Sequence, residues 1–165
     1  MDRILISACL VGRPVRYNGT DKAHPADGIV AQWRDEGRLV LVCPEVAVGF
    51  PTPRPPAEIV GTGDTCGGET VLAGGARVME DTGADVTALY VQAARDTVGL
   101  AKRYGCHHAV LTDGSPSCGS TFIYDGSFSG KRMPGVGTTT AALQAAGVRV
   151  WSETAIAALD ALLRR

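Results

Sequence analysis

Hydrophobic residues gather in four short runs, at residues 4–8, 39–42, 109–112 and 148–151. None alternates strictly with polar residues, which is the pattern of strands covered on both faces of a parallel sheet. Between them the apolar spacing shifts to the helical period. The clearest case spans 86–104, where Val86, Tyr90, Ala94, Val98 and Ala101 share one stripe, Asp85 stands ready to cap the start and Gly105 to end it. Further helices are predicted over 29–36 and 138–146, stopped by Gly37 and Gly147, and over 154–163. Strand and helix alternate throughout, which implies right-handed crossovers. The predicted fold is therefore a three-layer doubly wound α/β domain, Rossmann-like or flavodoxin-like, with a sheet of about four to five mainly parallel strands.

Two stretches break this rhythm, 44–75 and 114–137, both rich in Gly, Pro, Ser and Thr. Each is too long for a plain connection, so each reads as a functional loop or a disordered insertion. A length of 165 residues suits one domain over 1–165, with those two stretches as long active-site loops. No apolar run approaches the roughly 18 residues of a membrane span. Met1-Asp2-Arg3-Ile4 enters directly into a strand-like run without the features of a signal peptide, so the expected compartment is the cytoplasm and no membrane partner is expected. Net charge is −1, and Lys and Arg are scattered without a basic stripe. Nothing points to a nucleic-acid backbone, and a small molecule is the expected partner.

The cysteines are Cys9, Cys43, Cys66, Cys106 and Cys118, an odd set in a chain that reads as cytosolic, where thiols stay reduced. Cys9 directly follows the first strand, Cys43 the second, and Cys118 lies a few residues beyond the third, in Ser115-Pro116-Ser117-Cys118-Gly119. In an open parallel sheet these carboxyl ends share one edge, where ligands bind at the reversal of strand order. Three thiols distant in sequence are thereby placed to meet, and three converging thiolates suit zinc or an iron-sulfur cluster. Three protein ligands rather than four leave a position open for substrate, as in catalytic metal sites. Simple packing of cysteines at strand ends is the competing reading. Cys66, in a glycine-rich stretch, and Cys106, at the opposite end of its strand, are not placed to join them. His107 and His108 enter the third strand away from the site.

The segments around these cysteines carry a resemblance. Ser7-Ala8-Cys9-Leu10-Val11-Gly12, Val15-Arg16-Tyr17-Asn18-Gly19, Cys43-Pro44-Glu45-Val46, Pro51-Thr52-Pro53-Arg54-Pro55-Pro56 and Ser115-Pro116-Ser117-Cys118-Gly119-Ser120, with Ile123-Tyr124-Asp125-Gly126 and Pro134-Gly135-Val136-Gly137 beyond them, resemble the thiouracil desulfidase family in order over nearly the whole chain. That resemblance implies a 4Fe-4S cluster on Cys9, Cys43 and Cys118, with a fourth iron free to take the sulfur of a thiolated base such as 2-thiouracil, which leaves as hydrosulfide without redox turnover. It makes Glu45 the expected general base or acid, with Ser115 its catalytic companion. Ser117 and Arg54 become substrate-binding or supporting residues. Arg54 pairs either with Glu45 or with an anionic group of the substrate, and the proline-rich segment walls the site.

Three details depart from the family pattern. Val48 stands where a glycine is expected before Gly49, Thr112-Asp113-Gly114 stands where a lysine-containing stretch is more usual, and the Cys66 loop is peculiar to this chain. Two other function classes remain at this point: a non-catalytic module holding zinc or a cluster on the three cysteines, and a thiol enzyme with one nucleophilic cysteine. The second lacks a histidine or second thiol positioned to assist.

Overall fold

The computed structural model describes residues 1–22, 27–61 and 67–165. In chain order the elements are β1 (Arg3–Ser7), α1 (Asp27–Asp35), β2 (Leu39–Val42), α2 (Pro44–Ala47), β3 (Ala57–Gly61), α3 (Gly68–Leu72), β4 (Ala76–Glu80), α4 (Thr87–Tyr104), β5 (Cys106–Leu111), β6 (Phe122–Tyr124), β7 (Arg132–Pro134), α5 (Thr138–Ala145), β8 (Arg149–Ser152) and α6 (Ile156–Leu163). The strands of the four apolar runs pair in parallel in the order β2-β1-β5-β8. Chain order therefore reverses between β1 and β5, the flavodoxin-like arrangement.

Alternate side chains of these strands supply two cores, as period-two geometry requires. Ile4, Ile6 and Val110 pack against Val30 and Trp33 of α1 and Ile156 and Leu159 of α6. Leu5, Ala109 and Leu111 face the other way, onto Ala101 of α4 and Leu143 of α5. The central strands β1 and β5 are buried on both faces, which is why their sequences show apolar runs. The Trp33 indole completes its burial by donating to Asp160 Oδ1 at 2.8 Å, tying α1 to α6.

Helix ends obey local chemistry. Asp85 Oδ1 accepts from the Thr87 amide at 3.0 Å, and Gly105 closes α4 in the left-handed region at φ 64°. The last helix starts two residues later than its pattern predicts, because Ser152 accepts from the Thr154 amide at 3.3 Å and winds Glu153–Ala155 as a tighter 3-10 turn. The third sheet strand starts earlier than predicted, at Cys106, and takes in both histidines. His108 Nδ1 accepts from the Trp151 indole of neighbouring β8 at 3.2 Å.

The two long stretches carry structure that their composition hides. Residues 44–75 contain α2, β3 and α3, and residues 114–137 contain β6 and β7. β3 and β4 form a separate antiparallel pair, as do β6 and β7. Ile59 and Val78 of the first pair join Val86 and Tyr90 near α4, and Ile123 of the second pair, in a third core. Both hairpins are thereby anchored beside the sheet's carboxyl edge. Cys66 lies outside the described residues.

Candidate functional site

Each of the three predicted cysteines is set by a strand end. β1 runs straight into a 3-10 turn, Ala8–Val11, that carries Cys9. Cys43 ends β2 and caps α2, with Pro44 as the first helical residue. Cys118 lies in the turn beyond β5. Because β2, β1 and β5 are adjacent, the three thiols open onto one cavity of about 560 Å³ at the reversal of strand order, together with Glu45, Arg54 and Ser115. Cys9, Cys43 and Cys118 are free, as is Cys106, which is buried at the opposite end of β5.

The Cys118 turn is clamped from two sides. Ser115 Oγ accepts from the amides of Ser117 and Cys118 at 3.0 and 3.1 Å. With both acceptor positions of the hydroxyl engaged, its own proton remains for donation, and Ser115 lines the cavity. From behind, the first amides of α5 donate to the turn's carbonyls: Thr138 to Pro116 at 2.8 Å, Thr139 to Ser117 at 2.9 Å and Thr140 to Ser117 at 3.2 Å. The start of α5 is thus consumed in holding Cys118 and is not an anion site. Ser117 is 0% exposed, and its hydroxyl shares a 2.8 Å hydrogen bond with Thr139 Oγ1. It supports the turn from within the protein and does not line the cavity, so it is not placed to touch a substrate. Gly137 allows the close approach, since a Cβ there would stand 2.4 Å from the Ser117 carbonyl.

Asp113, the first acid after β5, organises the remainder of this loop. Its Oδ1 accepts from the amides of Ser120, Thr121 and Phe122 at 3.0, 3.1 and 3.2 Å, and its Oδ2 accepts from the Thr121 hydroxyl. Burial alone would push this carboxyl up, but the hydrogen bonds from Thr121, Phe122 and Ser120 outweigh it and hold its pKa below the ordinary value. A depressed folded pKa contributes stability that is present above the unfolded value of about 4 and is lost as pH falls through the folded value. Asp113→Asn is therefore expected to lower stability by about 2 kcal/mol at neutral pH and to flatten the acid limb of stability against pH, measured by urea unfolding from pH 7 down to pH 3.

Glu45 and Arg54 are each 8% exposed and joined at 2.7 Å, Arg54 Nη2 to Glu45 Oε2. Of the two sequence-level options for Arg54, the structure therefore shows the pair with Glu45. The guanidinium also donates to the carbonyls of Val15 at 3.1 Å and Pro51 at 3.3 Å, so its direction is fixed. Glu45 Oε1 is buried and has no hydrogen-bond partner among the described residues. A buried carboxylate oxygen left unpaired costs free energy, and here it sits in the wall of the cavity. Pro55 and Pro56 line the same cavity, as expected of the stiff proline segment.

The thiols are electrostatically crowded. Burial raises the pKa of Cys118 well above normal, and Glu45 and Cys43 raise it further, while the Ser117 hydroxyl works the other way. Burial and Glu45 also raise Cys43. For Cys9 burial again leads, opposed by Thr112, whose Oγ1 lies 2.8 Å from the sulfur. Metal ligation needs thiolates, so a group that binds all three must bring positive charge to offset this crowding. Among the described residues, no three Cys, His, Asp or Glu side chains come together tightly enough to hold a single ion. Three thiols that share one cavity suit a soft metal group, an iron-sulfur cluster or zinc.

Sequence comparison decides the family. The family described as 2-thiouracil desulfurase matches residues 4–155, nearly the whole chain. The chain belongs to that family. The uncharacterized protein YbbK of Bacillus subtilis (strain 168) is 47% identical over 150 residues, covering 91% of this chain and 95% of its own length. The solved structure of the 4Fe-4S-dependent thiouracil desulfidase TudS superposes with a TM-score of 0.86 at 41% identity, over 99% of both chains.

Within this family framework, sequence reasoning placed six of its seven site residues on one cavity: Cys9, Cys43, Cys118, Glu45, Arg54 and Ser115. Ser117 is the one set behind it. Thr112, Asp113 and Tyr90 were missed as site residues, although all three line the cavity. A carboxylate immediately after a buried strand, ahead of a glycine and a run of serines and threonines, is the signal that marks Asp113 in retrospect.

Proposed function

We propose that this protein is an iron-sulfur-dependent, non-redox desulfidase that removes sulfur as hydrosulfide from a small thiolated nucleobase such as 2-thiouracil. The observation that carries the proposal is the cavity itself, which three thiols line together with a buried carboxylate that has one oxygen without a partner among the described residues. Family membership and the likeness to TudS support the same reading. The overall change is hydrolytic: the C=S carbon gains the oxygen of water, and sulfur departs as HS⁻ with one proton released.

Cys9, Cys43 and Cys118 would hold a 4Fe-4S cluster by three irons. Bound there, the cluster would supply a Lewis acid to polarise the thiocarbonyl. Arg54 Nη2 fixes Glu45 Oε2 and leaves Oε1 to take a proton from the attacking water. The Ser115 hydroxyl, with its acceptor positions filled by two amides, donates toward the substrate. Phe122, Tyr124 and Phe128 line the outer part of the cavity, with Arg132 stacked 4.3 Å above the Phe122 ring, a surface suited to a flat heterocycle.

A non-catalytic module holding zinc or a cluster on the same cysteines is the alternative. It accounts for the thiols and leaves the unpaired Glu45 oxygen without a purpose. Loading the protein anaerobically with iron and sulfide, or separately with zinc, and then supplying 2-thiouracil separates the two. Sulfide and uracil formed by the iron-sulfide form alone support the enzyme; no product from either form supports the module.

A further inference from the structure

Tyr90 lies on the apolar stripe of α4, and most of its ring behaves as core. It is 4% exposed, packs against Phe50 with ring centroids 5.4 Å apart, and belongs to the cluster that joins α4 to the β3–β4 hairpin. Its hydroxyl differs from the ring. No residue in the described structure hydrogen-bonds the phenol, whereas a buried tyrosine normally finds a partner. Tyr90 also lines the 560 Å³ cavity beside Glu45 and Cys118. Arg54 satisfies one oxygen of Glu45 and Ser115 the amides of the Cys118 turn, which leaves Glu45 Oε1 and the phenol beside them without a hydrogen bond from a described residue.

We propose that Tyr90 is a substrate-binding residue whose hydroxyl donates a hydrogen bond to the exocyclic carbonyl oxygen of the thiolated base, on the side away from the sulfur. This rests on the desulfidase reading of the cavity. Oxygen rather than sulfur is the target because a carbonyl oxygen is a strong acceptor and a thiocarbonyl sulfur a weak one. The phenol suits the role, since burial first and Glu45 second push its pKa far up and keep it protonated. It is a permanent donor, whereas the neighbouring carboxylate is an acceptor. Together they select a ring that presents an acceptor to one side and leaves the reacting carbon to the other.

Tyr90→Phe removes only the hydroxyl and keeps the ring against Phe50. In the iron-sulfide-loaded protein, with equal iron per chain as the entry condition, the variant is expected to raise KM for 2-thiouracil about three- to tenfold, the range of one neutral hydrogen bond, and to weaken calorimetric binding of uracil by the same factor. 2-Mercaptopyrimidine, which lacks the carbonyl oxygen of 2-thiouracil, should show no difference between the two proteins, because the double comparison isolates the hydroxyl–oxygen pair. Equal KM and equal uracil binding in both proteins overturn the proposal, as does an equal penalty with both ligands. Loss of iron from the variant also overturns it, since Tyr90 would then support the cysteines. A loaded wild type that neither binds uracil nor releases sulfide overturns the desulfidase reading and this proposal with it.

Discussion

Glu45→Gln should load iron and sulfide as the wild type does yet release sulfide from 2-thiouracil about a hundredfold more slowly or worse, the lower bound of what a positioned general base contributes. The substitution preserves volume and keeps an oxygen that can accept from Arg54. It removes the ability of the buried, unpartnered oxygen to take a proton. Glu45 follows Cys43 by two residues within the short helix α2, so its position is fixed by the same turn that fixes a ligand. Iron content and sulfide release measured on one preparation separate the two roles. Full iron with wild-type turnover would remove Glu45 from the chemistry.

Arg54→Met should produce the largest loss of stability, about 3–5 kcal/mol, because it strips the partner from a buried carboxylate. For a chain of this size that corresponds to a melting point lower by roughly 10 °C. The guanidinium also ties the proline segment to Val15, so the cavity wall loosens as the charge is orphaned. Glu45→Gln placed on top of Arg54→Met should recover part of the loss, since neutralising the orphaned charge removes the reason for it. Thermal unfolding of the two single variants and the double variant checks this. Additive losses would show that the pair is not coupled, and then Arg54 could not be what aims Glu45.

The central sheet was legible because its central strands β1 and β5 are covered on both faces. Leu5 packs toward α4 and α5 while Ile4 and Ile6 pack toward α1 and α6, and that double burial is what writes a continuous apolar run. The cysteine positions were legible for the same reason: a residue just after such a run is at the sheet's carboxyl edge. The β3–β4 pair was not legible. The segment between its two five-residue strands contains α3, so no tight-turn signal announces the pairing. Ser117 and Ser115 look equivalent in sequence, and only the packing of α5 behind the turn shows that one hydroxyl faces the cavity and the other faces Thr139. Tyr90 illustrates a further limit, since helical spacing predicts that a side chain is buried and cannot say what its polar tip meets.

The stretch after β5 has structural work of its own. It places Thr112 against the Cys9 sulfur and Asp113 beneath the loop that leads to β6. A second charge lies close by. Lys22 lines the cavity and pairs at 2.7 Å with Glu153, whose other oxygen accepts from the Asp113 amide. This side of the cavity therefore has a cation, brought from the segment after β1.

The most direct test of the cysteine-held cluster is a count of iron and acid-labile sulfide per chain after anaerobic reconstitution, on the wild type and on Cys118→Ala, with sulfide release from 2-thiouracil followed in the same samples. The wild type should carry about four irons on three cysteine ligands and liberate sulfide, while Cys118→Ala, deprived of a ligand, should retain little iron and liberate none. Full iron and undiminished sulfide release in Cys118→Ala would contradict the account.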